Sequence, residues 1–161
     1  MIITNESMDE ILKNLEKFKK NELLNIKFKN LKDLIYPNFV QVDDCVIISK
    51  EKKEDLEKGL LGAIEFVEDK VYYEYSYNEI VINNFFQGKI SKNALISIGL
   101  TVLQSWGTIL KKIEPKSKFW MILACDKKTV LIRFHKLRDG EKLIIEKVNK
   151  VEQPVYCKLI G

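Results

Sequence analysis

Ser91-Lys-Asn-Ala-Leu-Ile-Ser-Ile-Gly-Leu-Thr-Val-Leu-Gln-Ser-Trp-Gly-Thr-Ile-Leu-Lys-Lys-Ile113 decides the fold of this chain. Leu95, Ile98, Val102, Trp106, Ile109 and Ile113 recur at helical spacing, and Ile96, Leu100, Leu103 and Leu110 widen that stripe until most of the helix must be covered. Pro115 stops it. Phe119-Trp-Met-Ile-Leu-Ala-Cys125 follows as an unbroken apolar run, the mark of a strand buried on both faces. The pair forms the nucleus of a core. Gly99 and Gly107, inside the helix, are where a strand comes close.

Working outward, Asp126-Lys-Lys128 connects to Thr129–His135, where Val130, Ile132 and Phe134 share one strand face and Leu131, Arg133 and His135 the other. Asp139-Gly140 predicts a hairpin returning through Leu143-Ile-Ile145, and Pro154 predicts that a last strand to Ile160 enters at a sheet edge. Toward the N-terminus, Ser7-Met-Asp-Glu10 reads as a capping box for an amphipathic helix carrying Ile11, Leu12, Leu15 and Phe18 to about Asn21. Leu24, Ile26 and Phe28 alternate as a strand; Phe39–Val42 and Cys45–Ile48 are two more. Lys50–Lys58 is charge-dense and reads as a short exposed helical turn or a mobile loop, and Ala63–Val67 with Val71–Ile82 reads as a hairpin through Glu68-Asp-Lys70. The expectation is one α+β domain over residues 1–161, its mainly antiparallel sheet packed against the helix at 91–113 and an N-terminal amphipathic helix.

Composition agrees with a single folded unit: 161 residues, 46% hydrophobic and 31% charged, suffice for one substantial core. The first ten residues are acidic and lack the basic start and apolar stretch of a secretory signal, and polar residues interrupt the long helix, so a cytoplasmic protein is expected. Cys45, Cys125 and Cys157 are odd in number and scattered, which fits buried, reduced thiols. The net charge of +4 is uneven: residues 1–90 hold 13 Lys against 17 Asp and Glu, and the remainder 14 Lys and Arg against 6.

The chain has one histidine, His135, which excludes any site needing two imidazoles. Cys125 and Cys157 sit in apolar runs that disfavour a thiolate nucleophile, and the glycines form no phosphate-cradling loop. No catalytic residue, metal site or cofactor site is expected. Glu65 and Glu74, on opposite arms of the expected hairpin, read as solvated charge rather than an acid–base pair. The most distinctive segment is Val71-Tyr-Tyr-Glu-Tyr-Ser-Tyr-Asn-Glu79. As a strand it would turn Tyr73, Tyr75 and Tyr77 inward and Tyr72 and Glu74 outward. Tyr72 and Glu74 would then join Glu65, Glu68 and Asp69 in a tyrosine and carboxylate patch suited to a basic protein partner.

The C-terminal part, with Ser105-Trp-Gly-Thr-Ile-Leu-Lys111, Phe119–Cys125 and Val130-Leu-Ile-Arg-Phe-His-Lys-Leu-Arg-Asp-Gly-Glu141, resembles immunity proteins of bacterial contact-dependent inhibition and related polymorphic toxin systems. The resemblance implies a non-enzymatic protein that binds the toxin domain of its own system and blocks it stoichiometrically. It carries over no binding residue by position. An alternative from charge alone is a nucleic-acid-binding module using Lys111, Lys112, Lys116, Lys118, Arg133, Lys136 and Arg138.

Overall fold

A computed structural model describes residues 1–15, 26–49, 51–64, 70–141, 143–145 and 147–161. Its centre is a five-stranded antiparallel sheet in the order β1 (Ile2–Thr4), β9 (Val155–Ile160), β7 (Lys118–Cys125), β8 (Val130–Leu137) and β5 (Ile80–Val81). Helix α5 (Lys92–Ile113) packs on β7 and β8. Ser91 caps it by accepting from the Ala94 N–H at 3.2 Å, and at the other end the Glu114 N–H still donates to Leu110 before Pro115 forbids another turn. Length and composition would let α5 cross a membrane. Its apolar stripe is instead spent on the sheet: Leu95, Ile96, Val102, Leu103, Trp106 and Leu110 are all buried there.

Burial on both faces of β7 follows from alternation. Phe119, Met121, Leu123 and Cys125 join α5 in the main core with Val130, Ile132 and Phe134, while Trp120, Ile122 and Ala124 join Val155 and Cys157 in a second core. Each of the Val, Leu, Ile, Phe and Met side chains among them contributes about 1.5–3 kcal/mol. The helix lies close enough that a Cβ on Gly99 would meet Ile82 and Leu123 at 2.7 Å, and one on Gly107 would collide with Ile160. The expected close approach is therefore present at both glycines.

The α+β class, the mainly antiparallel sheet and the long apolar helix hold. Several local expectations do not. The N-cap of α1 (Glu6–Leu15) is Asn5, not Ser7: Asn5 Oδ1 accepts from the Met8 N–H at 3.1 Å. The same amide donates to the Val151 and Gln153 carbonyls, so it also ties down the segment entering β9. The expected helix end near Asn21 and the strand start at Leu24 lie outside the described residues. What is described of that strand is β2 (Lys27–Phe28), paired with β6 (Phe86–Gln87). A short helix, α2 (Leu31–Ile35), follows it.

The two expected strands β3 (Phe39–Val42) and β4 (Cys45–Ile48) are present and pair with each other as a hairpin, turning through Asp43 at φ 51°. Of the two expectations for the charge-dense run the helical one holds, but the helix is longer and less exposed than a single turn: α3 (Lys53–Ile64) starts here because Leu56 and Leu60, four apart, bury against Val42, Cys45 and Ile47. The expected hairpin arm at Val71 is helix α4 (Lys70–Tyr77), and only Ile80–Val81 of it is strand. Leu143–Ile145 is not a strand; with Val148, Val151 and Tyr75 it covers the second core. Finally β9 is interior, between β1 and β7, so Pro154 precedes an inner strand, its carbonyl accepting from the Cys125 N–H at 3.1 Å.

Candidate functional site

Helix α4 sits between two sheet edges, that of β4 and the part of β8 beyond β5. Val71, Tyr73, Glu74 and Asn78 are the buried positions of this stretch, a helical rather than an alternating pattern. The polar pair does what a neighbouring strand would do. Glu74 accepts the Val46 N–H through Oε1 and the Lys136 N–H through Oε2, each at 2.8 Å. Asn78 accepts the Ile48 N–H and donates to the Val46 and Phe134 carbonyls. Two side chains four residues apart thus satisfy backbone groups on two strands that do not pair with each other.

The Glu74 carboxylate is fully buried, and burial raises its pKa against the pull of Arg138. Arg138 holds it with two hydrogen bonds, Nη1 to Oε2 at 3.0 Å and Nη2 to Oε1 at 3.2 Å. The same guanidinium reaches Asp44 through Nε at 2.7 Å and the Asp44 carbonyl through Nη2 at 2.7 Å. Lys136 bridges Asp44 at 2.6 Å and Glu114 at 2.7 Å. Partial burial opposes ionisation of Asp44, yet the hydrogen bonds from Lys136 and Arg138 outweigh it and hold its pKa at about 2. Burial likewise works against the Arg138 guanidinium, and Glu74 and Asp44 more than restore it. The network joins the β3–β4 turn, α4, β8 and the end of α5, and its charges are spent on one another.

This places the sequence-derived candidates. Tyr72 is 49% exposed, whereas Glu74 is buried at the centre of the network and faces no solvent. The strand reading had the outward face wrong because a helix turns Glu74 inward with Val71. Glu65, Glu68 and Asp69 lie outside the described residues, so neither the acidic patch nor the Glu65 and Glu74 pairing is formed by what is described. Of the basic residues, Lys136 and Arg138 are committed to the network, and Arg133 pairs with Glu79 and stacks over Tyr75 at 4.0 Å. His135 is buried on the second sheet face opposite Trp120, its Nδ1 3.1 Å from the Lys136 carbonyl. All three cysteines are free and buried, and burial pushes the thiols of Cys45 and Cys157 up to about 12. Among the described residues no group of His, Cys, Asp and Glu could hold a metal ion.

Several large apolar side chains are exposed among the charged surface residues. Tyr36, Leu61 and Tyr72 are 64%, 70% and 49% exposed, and Phe28, Leu31 and Tyr77 are exposed as well. Two of these, Phe28 and Leu31, rim a groove of about 300 Å³ against α5, completed by Ile26, Ile35, Ser97, Ile98, Thr101, Val102 and Ser105. Its walls are pinned together: Trp106 Nε1 donates to the Leu34 carbonyl at 2.9 Å, and Ser105 Oγ to that of Ile35 at 3.4 Å. The sequence signal for this groove was Ser97, Thr101 and Ser105, small polar residues four apart along an otherwise apolar helix.

A family model described as "Uncharacterized protein PM0498 family" matches residues 3–159, and the chain belongs to that family. Over 112 residues, 67% of the chain, it is 30% identical to "Uncharacterized lipoprotein RC0146" of Rickettsia conorii, of whose length it spans 10%. No solved structure matches. The expectation of a cytoplasmic protein is corrected by this similarity to a lipoprotein.

Proposed function

We propose that this member of the PM0498 family is a protein-binding module of the immunity type, which neutralises a cognate toxin domain by stoichiometric occlusion and without covalent chemistry. The observation that carries the reading is the contrast between its charges and its exposed apolar groups. The central carboxylates and guanidinium bind each other, whereas Tyr36, Leu61 and Tyr72 stand out, Tyr36 beside α2 and Tyr72 on α4, which are pinned by buried hydrogen bonds, and Leu61 on α3, which is held by its buried leucines. Exposed aromatic and aliphatic side chains on a preformed surface lose little conformational freedom on binding, which favours them as anchors. The test is co-expression with the C-terminal toxin domain of the same system, followed by titration of the purified pair. The expected result is protection of the cells and a one-to-one complex with a dissociation constant on the order of nanomolar, weakened about tenfold or more by Tyr72→Ala or Leu61→Ala. Cells left unprotected by a well-expressed, folded protein overturn the reading.

A further inference from the structure

Lys70, Arg133, Lys136 and Arg138 each have a carboxylate partner. Lys111 and Lys112, in the last turn of α5, have none among the described residues. Together with Lys158 of β9, likewise without an acidic partner there, they line an open cleft of about 560 Å³. Gln104 and Thr108 continue its α5 wall, Ile160 packs against Gly107 beside them, and no carboxylate takes part in the lining. Lys111 reaches only the Pro115 carbonyl, at 3.4 Å, and Glu114, the acid nearest in sequence, is spent on Lys136 and Ser117. Three like charges gathered in one cleft repel one another until an anion enters. Beside them lies an exposed apolar corner. Ile2 of the edge strand β1 pairs with Lys158, so the two side chains leave the sheet on the same face, and Ile2 is 57% exposed. The Met1 carbonyl accepts from the Leu159 N–H at 2.9 Å, which fixes this corner to the strand that carries Lys158. Asp9 is turned to the Thr4 hydroxyl, at the other end of β1.

We propose that this corner of the molecule docks on an anionic lipid surface, with Lys111, Lys112 and Lys158 on the headgroup phosphates and Ile2 at the acyl boundary. Lysines near such a surface each add attraction that falls off within a Debye length, and their flexible stems let the ammonium groups follow the phosphates. An exposed isoleucine beside them gains free energy only where an apolar layer receives it. A nucleic acid fits the same charges less well, because no aromatic ring lines the cleft to stack a base and Ile2 finds nothing to enter. None of these residues is among the anchors proposed for a protein partner, so the two surfaces are tested apart.

Co-sedimentation of the full chain with phosphatidylcholine vesicles, with and without phosphatidylglycerol, tests it. Binding is expected only where phosphatidylglycerol is present, and it should weaken steeply as salt is raised. Reversing two charges together, Lys111→Glu with Lys112→Glu, should lower the partition coefficient about tenfold or more. Ile2→Ser should lower it several-fold while leaving its salt dependence unchanged. Melting temperatures show whether each variant is folded; if the double variant is not, Lys158→Gln reads the same contact, with an expected loss of about fivefold. Equal binding to both vesicles, or undiminished binding by the folded double variant, overturns the proposal. Retention on duplex DNA that exceeds binding to the vesicles and is indifferent to Ile2→Ser assigns the lysines to nucleic acid and overturns it as well. So does full displacement from the vesicles by inorganic phosphate at constant ionic strength, which marks a small-anion site.

Discussion

The α5 face and the α4 joint both have a buried centre and are built on opposite terms. Between α5 and the sheet, contact is apolar: Trp106, Phe119 and Phe134 meet edge to face with ring centres 6.0–6.1 Å apart, and the one polar atom of Trp106 is matched to a carbonyl. Around α4, contact is polar: Glu74, Asn78 and Arg138 complete hydrogen bonding that no strand supplies. The first kind of interface tolerates rearrangement, because apolar groups can repack. The second does not, since removing one member leaves its partners buried and unsatisfied.

The largest effect that probes this contrast is Trp106→Ala. It should cost about 3–5 kcal/mol in chemical denaturation, and Trp106→Phe distinctly less, because part of the volume survives. If the two cost the same, the lost hydrogen bond to Leu34 rather than packing dominates, and the contrast fails on the α5 side. Next is Glu74→Leu, expected at about 3–4 kcal/mol from an Arg138 stripped of its buried partner and left to Asp44, and from two orphaned N–H groups. Adding Arg138→Met to it should recover a measurable part of the loss. Additive losses in that double variant would show that the joint is held by packing after all.

The smallest effect is a pH dependence. Asp44 is held at about 2 against an ordinary 3.8, and Glu114 is held below 4.5 by Lys136, Ser117 and Gln41 against the opposing effect of its burial. Both folded values lie below the unfolded ones, so the unfolded chain binds more protons in that window. The stability they contribute is full above about pH 4.5 and is lost as pH falls toward 2. Asp44→Asn should flatten this acid limb in pH-resolved melts; an unchanged limb would mean that Lys136 and Arg138 do not hold Asp44 in solution.

The two regions also differed in how readable they were. Leu95 to Leu110 declare a helix by spacing, Phe119–Cys125 declares a buried strand by continuity, and Gly99 and Gly107 mark the close approach that the fold contains. The α4 segment misleads the same procedure. Its tyrosines alternate and favour a strand, while two of its buried helical positions, Glu74 and Asn78, are polar and invisible to a search for apolar periodicity. Leu56 and Leu60 were likewise hidden, as two apolar residues in a charged run. Of the candidate patch, Tyr72 was legible as outward and Glu74 was not.

By itself, then, the sequence determined the α+β class, the helix at its centre and the strands beside it, since hydrophobic spacing encodes burial residue by residue. Tertiary structure decided the conformation of α4, the inner place of β9 and the pairing of Glu74 with Arg138. Those depend on which backbone groups are left unpaired once the sheets have formed, a quantity that no local stretch of chain contains.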